Sequence, residues 1–189
     1  MIEFDERLID KVAKELAAMP EKVTPVLSQA INRAMTSGRA KAATKARETY
    51  SVKAGLLKQG IVIRRANRNN LYASARFKGS PVPLAEFGAK PQGRTKAGKR
   101  RFLRVLAKEK RQVEMQHAFM INSGGKNLVG EHPAGSPQEI HWLYGPSVPQ
   151  MMGEQRVIDE FERRAKEVLV ERVEHGIEHA LEGGFGGIR

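Results

Sequence analysis

Between Trp142 and Met152 the chain reads WLYGPSVPQMM, and this stretch separates a region of short strand patterns from the longest amphipathic helix pattern in the sequence. Two prolines and a glycine restrict its backbone, because proline locks φ and glycine permits conformations that other residues avoid. Ser147 and Gln150 have the spacing of a capping box, in which a hydroxyl and an amide satisfy backbone groups of the first helical turn. The pattern predicts a rigid docking turn, formed by Trp142, Leu143, Tyr144, Gly145, Pro146, Ser147, Val148 and Pro149.

The sequence after this stretch predicts one long helix over residues 147–183. Apolar residues recur there at helical spacing as far as Leu181, while the opposite face carries mainly acidic residues. A continuous apolar stripe of this kind is buried in folded proteins. We therefore expect part of the stripe to pack on the sheet, namely Ile158, Phe161, Val168 and Leu169.

The sequence before this stretch, over residues 51–144, predicts a basic part made mainly of strands. Apolar and β-branched residues alternate with polar ones, and clusters of Asn, Gly and Pro mark the turns. Residues 88–100 have no apolar pattern and predict a basic, mobile loop. The expected strands are 61–63 and 71–77, joined as a hairpin, then 84–87, 102–107 and 113–121, with a short partner at 128–129.

The first 50 residues predict two helices. Apolar spacing indicates one over residues 2–19, which Pro20 would end. Thr24 is the expected N-cap of the second, with Pro25 at its first helical position. Helices, a block of strands and a final helix together predict an α+β fold in a single domain, 1–189, with a small, mostly antiparallel central sheet.

Charge is the strongest compositional signal. The formal net charge is +12 and the isoelectric point is about 10.2, a balance that favours a polyanionic partner. The alternative is that basic loops only keep the chain soluble. The sequence has no cysteine and no long apolar run, and its acidic N-terminus lacks the apolar core of a signal peptide. We expect neither a membrane span nor a disulfide framework.

Three partial motifs resemble catalytic or ligand-binding sites. Residues 145–149 resemble a nucleophile elbow around Ser147, but Pro149 replaces the second glycine. Residues 123–126 share the end of a phosphate loop but lack its first glycine and its hydroxyl residue. His175 and His179 share a helix face, yet two ligands do not complete a zinc site, so a helix-surface pair is expected. We therefore predict no catalytic residue, metal or cofactor.

Cations near the predicted mobile loop offer a nucleic-acid interface. Phosphate contact needs many cations and tolerates loops. Only Phe102 lies among them as an aromatic residue, so base stacking is weakly supported. The basic patch expected to face DNA or an acidic neighbour comprises Arg94, Lys96, Lys99, Arg100, Arg101 and Arg104.

Several segments resemble the bacteriophage minor tail protein Z family, which supplies tail completion proteins. They are residues 30–34 (AINRA) and 47–53 (RETYSVK), leading to 61–63 (IVI), then 118–121 (AFMI) and 143–149 (LYGPSVP). The last of these is the most specific. Together the segments span most of residues 26–182.

The resemblance implies a non-enzymatic virion protein of a long-tailed phage or prophage, made in the host bacterial cytoplasm. Such a protein acts at the head-proximal end of the tail, in tail maturation and head–tail joining. It is expected to form a homo-oligomeric ring, with six copies the expected number, around the channel that holds DNA. The implied partners are the tail tube or terminator and neck proteins.

Two other functions remain open at this level. Net charge alone also fits a sequence-independent nucleic-acid-binding module of a mobile element. A nuclease would need the basic surface together with His and Glu residues, and the only pair available to it is His175 and His179.

Overall fold

The computed structural model describes residues 6–91, 103–106, 111–115, 117–133 and 138–182 of the 189-residue chain. The predicted α+β class is confirmed. The helices are α1 (Glu6–Glu15), α2 (Pro20–Thr49), α3 (Ala54–Gln59), α4 (Val148–Met152) and α5 (Gln155–Leu181). The strands are β1 (Ile61–Arg64), β2 (Ser74–Phe77), β3 (Pro81–Pro83), β4 (Lys90–Pro91), β5 (Leu103–Leu106), β6 (Gln112–Met115), β7 (Ala118–Ser123), β8 (Lys126–Glu131), β9 (His141–Trp142) and β10 (Tyr144–Ser147).

The described strands form four small sheets rather than one central sheet. Two have two strands, β1-β2 and β10-β3, and two have three, β4-β5-β6 and β7-β8-β9. The pairs β3–β10, β4–β5, β5–β6, β7–β8 and β8–β9 are antiparallel, as predicted. Proline contributes to the division, because Pro81, Pro83 and Pro91 cannot donate a hydrogen bond to a neighbouring strand.

The contacts divide the chain into two compact units. The helical unit takes its residues from 1–42, 61–76 and 155–189, and the strand-rich unit takes them from 43–60 and 77–154. Helix α2 contributes to both. That the chain is a single domain stays a prediction.

The second helix begins earlier than predicted. It starts at Pro20, so Thr24 and Pro25 lie inside it and the predicted cap is wrong. Proline suits the first helical position, because its missing N–H would have no partner there. Pro20 thus marks the start of α2, a few residues after α1 ends at Glu15.

In the helical unit, α2 and α5 run antiparallel. Lys22 Nζ donates to the carbonyl of Ala180 at 3.1 Å, and Arg164 Nε donates to Ser37 Oγ at 3.2 Å. The start of α2 thus contacts the end of α5, and later residues of α2 contact earlier residues of α5. Phe161 packs on Gly38 of α2, so the prediction that the apolar stripe packs on the sheet is wrong for Phe161. Helix α1 also packs on α5.

The sequence predicts the β1–β2 hairpin of the helical unit, but it does not predict the hydrogen bonds that hold this hairpin to α2. The side-chain amide of Asn32 donates from Nδ2 to the carbonyl of Ala66, and its Oδ1 accepts from the amide of Ala66, both at 2.9 Å. Asn67 and Asn70 pair across the predicted turn.

Several elements of the strand-rich unit differ from those predicted from the sequence. Residues 84–87 form a 3₁₀ turn, and the strand lies just before it at β3, where β10 supplies a partner. The predicted strand over 113–121 is two strands, β6 and β7. Strands β7 and β8 pair through a turn, with Ile121 opposite Leu128 as expected.

The predicted helix over 147–183 is two helices, α4 and α5. Gly153 caps α4, and its amide donates to the carbonyl of Pro149 at 2.8 Å. The hydroxyl of Tyr50 donates to the carboxylate of Glu154 at 2.7 Å. The predicted capping box is present, but it begins the short helix α4 instead of the long one.

Candidate docking surface

Residues 142–149 are extended for most of their length, so the predicted turn is wrong as a conformation. Trp142 belongs to β9 and lies opposite Gly130 of β8. Tyr144 begins β10 and lies opposite Pro83 of β3. Between them, Leu143 donates its amide to Val129 at 2.8 Å, and its carbonyl accepts from Leu84 at 3.0 Å. The segment therefore joins two sheets instead of reversing the chain.

Three large apolar side chains stand exposed along this segment. Ile140 is 38% exposed, Trp142 39% and Tyr144 55%. The side chains of Ile140 and Trp142 both lie beside Gly130 of β8, and Tyr144 follows two residues later at the start of β10. Strand β9 lies at the edge of its sheet. We call these three side chains the aromatic edge. Ile140 lies outside the predicted docking turn, although the alternation I-x-W-x-Y in the sequence indicates it.

The later residues of this segment pack against buried side chains of the strand-rich unit. Gly145 lies against the buried ring of Phe87, and a Cβ at position 145 would come within 2.4 Å of that ring. Val148 is 4% exposed. The amide of Ser147 donates to Gln150 Oε1 at 2.8 Å, and Ser147 Oγ accepts from the amide of Gln150 at 3.4 Å. Ser147 therefore serves as a helix cap.

Most of the predicted basic patch lies outside the described residues, namely Arg94, Lys96, Lys99, Arg100 and Arg101. Its described member, Arg104, lies on β5 opposite Glu114 of β6 and forms an ion pair with it at 3.0 Å. A role for the patch in contacting DNA or an acidic neighbour stays a prediction.

The acidic face of α5 is partly neutralised within the helical unit. Glu160 accepts hydrogen bonds from Arg163 and forms an ion pair with Lys41 at 3.5 Å. The hydrogen bond from Arg163 is the main cause that holds the pKa of the Glu160 carboxyl below its ordinary value. Glu167 pairs with Arg163 and Arg164. Segregation of charge along the chain is therefore weaker in the fold than in the sequence.

The other partial motifs have ordinary structural settings. His175 and His179 are both exposed on α5, with ring centroids 6.4 Å apart. Ser123 pairs with Lys126 where β7 turns into β8, and Gly124 and Gly125 both have positive φ there. Among the described residues, no three His, Asp or Glu side chains form a group that could hold a metal ion. In the same part of the chain, no helix is long and apolar enough to cross a bilayer.

No protein-family model matches the chain, and comparison with curated proteins and solved structures found no match. The likeness of residues 143–149 to minor tail protein Z stays a prediction, and only the sequence segments quoted for it support it.

Proposed function

We propose that this chain is a non-enzymatic structural protein of a phage or prophage tail, a tail completion protein that docks through its aromatic edge. The observation that carries the proposal is the exposed row of Ile140, Trp142 and Tyr144, which begins just before the edge strand β9 and ends at the start of β10. The same segment contains LYGPSVP, the most specific of the segments that resemble the tail protein family.

The structure of residues 140–149 suits docking to another protein. Exposed aromatic residues on a rigid backbone provide contact area at little conformational cost, because few rotatable bonds are fixed on binding. Backbone bonds at Leu143 and the capped start of α4 hold the two ends of the segment. In this role the chain forms a homo-oligomeric ring at the head-proximal end of the tail, between tail tube or terminator and neck proteins.

A complementation assay tests the proposal. A phage or prophage whose copy of this gene is deleted should accumulate unjoined heads and tails, and the wild-type gene should restore infectious particles. The double variant Trp142→Ser, Tyr144→Ser should fold and fail to complement. The control is Val113→Ser, which removes another exposed apolar side chain of the strand-rich unit, 44% exposed. Full complementation by the double variant, or joined particles without the gene, would overturn the proposal.

A further inference from the structure

The β1–β2 hairpin and its flanks carry positive charge without any acidic residue. Residues 49–85 contain seven Lys or Arg and no Asp or Glu. Within the hairpin of the helical unit, four of these cations are arginines: Arg64, Arg65, Arg68 and Arg76. We call these four residues the arginine hairpin.

The four guanidinium groups are exposed and have no partner in the part of the chain that the structure describes. All four residues are exposed, whereas Ile61 is buried and Ile63 is half-buried. Alternation along β1 therefore places Arg64 on the solvent face. No hydrogen bond or ion pair joins the guanidinium group of any of the four to another described residue. By contrast, Arg104, Arg163 and Arg164 all have carboxylate partners.

Two sets of hydrogen bonds hold the loop between β1 and β2 in place. Asn67 Oδ1 accepts from the amides of Asn69 at 3.0 Å and Asn70 at 2.8 Å, which fixes the turn that carries Arg68. Just before this turn, the side chain of Asn32 donates one hydrogen bond to Ala66 and accepts one from it. The loop backbone that carries Arg65 and Arg68 is thus held in place without a ligand.

We propose that the arginine hairpin binds the phosphate backbone of nucleic acid without reading its sequence. The planar guanidinium group matches phosphate oxygens in a fork geometry, and a two-stranded ribbon fits the major groove of a DNA duplex. A regular polyanion can contact several cations of one hairpin at once. The inference does not rest on a tail function, because a nucleic-acid module of another kind would use the same surface.

The acidic helix α5 of a second copy of this chain is a less suitable ligand for the arginine hairpin than nucleic acid is. Helix α5 carries Arg156, Arg163, Arg164, Lys166 and Arg172 among its acids. Three of its glutamates, Glu160, Glu167 and Glu174, already pair with cations of their own helical unit. An acidic partner protein remains an outcome that the experiment below separates.

The experiment measures fluorescence anisotropy of a labelled DNA duplex of arbitrary sequence, titrated with the full chain at several salt concentrations. The test variant changes all four arginines of the hairpin to Gln. The matched control changes four other exposed cations to Gln, at Lys14, Arg111, Lys126 and Lys166. Both variants carry a net charge of +8 (12 − 4) if His is neutral. Circular dichroism and Tm confirm that each variant folds.

The test variant should bind DNA about tenfold or more weaker, and the slope of log K against log salt should become shallower by about three to four. The matched control should keep most of the wild-type affinity and slope. Replacing the four arginines with Lys should restore most of the salt slope, because the charge returns. Equal losses in the test and control variants would reduce the effect to net charge and overturn the proposal. Competition by polyglutamate as strong as by unlabelled DNA would assign the surface to an acidic protein instead.

Discussion

Asn32 of α2 and Ala66, which follows β1, exchange two hydrogen bonds of 2.9 Å, one from the side-chain amide and one to it. The side chain of Asn32 satisfies both polar backbone groups of Ala66 in the way that a neighbouring strand would. Ala66 is 5% exposed, so these groups have little access to water. This pair ties the arginine hairpin to the longest helix of the chain.

Removing the Asn32 side chain should destabilise the helical unit. We expect Asn32→Ala to lower the free energy of unfolding by about 1–3 kcal/mol, because a buried N–H and C=O lose their partners. Asn32→Asp should not restore stability, since a carboxylate cannot donate to the carbonyl of Ala66. Urea denaturation measures both, with Asn69→Ala at the exposed turn as the control expected to change little. An unaffected Asn32→Ala variant would contradict the anchoring role.

The close approach of α2 and α5 depends on Gly176. A Cβ at position 176 would come within 2.7 Å of Val26 Cγ1, and the stiff side chain of valine has little freedom to move aside. Overpacking of this kind costs about 1–3 kcal/mol, which should exceed the gain of about 1 kcal/mol in helix propensity. We therefore expect Gly176→Ala to lower Tm.

Two further variants separate the clash from propensity. Gly55→Ala in α3 meets nothing within 4 Å and should stabilise the chain slightly. Val26→Ala, which is itself destabilising, should lessen the additional cost of Gly176→Ala, because it removes the clashing methyl groups. A purely additive double-mutant cycle would show that the two residues are not coupled in this way.

The glycine of LYGPSVP should be required by packing. A Cβ at position 145 would meet the ring of Phe87, so Gly145→Ala should destabilise the strand-rich unit by about 1–3 kcal/mol. Phe87→Leu, which is itself destabilising, should lessen the additional cost of Gly145→Ala. Thermal denaturation of the four proteins of this cycle measures the coupling, and an unchanged cost in the Phe87→Leu background would refute the contact as its cause.

The Glu160 interactions should stabilise the fold only when the carboxylate is ionised. Because its pKa is lowered in the folded chain, the stabilisation is present above about pH 4.5, its ordinary pKa, and is lost as the pH falls through the lowered folded value. Wild type should therefore have a higher Tm than Glu160→Gln at pH 7, and the difference should shrink on acidification. Glu171→Gln, on the same helix and without an ion pair among the described residues, is the control. A difference independent of pH would contradict the electrostatic origin.

Some features that depend on residues close together in the sequence were predicted correctly. The capping box at Ser147 and Gln150 and the asparagine turn between β1 and β2 are set by residues close in sequence, and both are present. The break at Gly153 was missed because the apolar pattern continues on both sides of it. Strand β3 was missed because its partner, β10, lies about 60 residues further along the chain, beyond the reach of a local pattern.

For the two candidate surfaces too, the sequence indicates some residues, but only the fold shows whether they are exposed and unpaired. Trp142 and Tyr144 were chosen from sequence, but their exposure at a sheet edge depends on the pairing of β8 with β9 and of β3 with β10. The arginine hairpin was overlooked because charge alone does not separate a paired arginine from an unpaired one. Arg104 and Arg64 look alike in sequence, and only the fold shows that one of them faces Glu114.

Co-sedimentation of the purified chain with phage tails assembled without it tests the proposed function most directly. Free DNA in a parallel sample controls for binding through charge. We expect wild type to pellet with tails at a small, fixed number of copies per tail, whereas the Trp142→Ser, Tyr144→Ser variant should stay in the supernatant. Electron microscopy of the loaded tails should then show a ring at the head-proximal end. Wild-type protein that ignores tails while binding DNA at physiological salt would contradict the tail assignment.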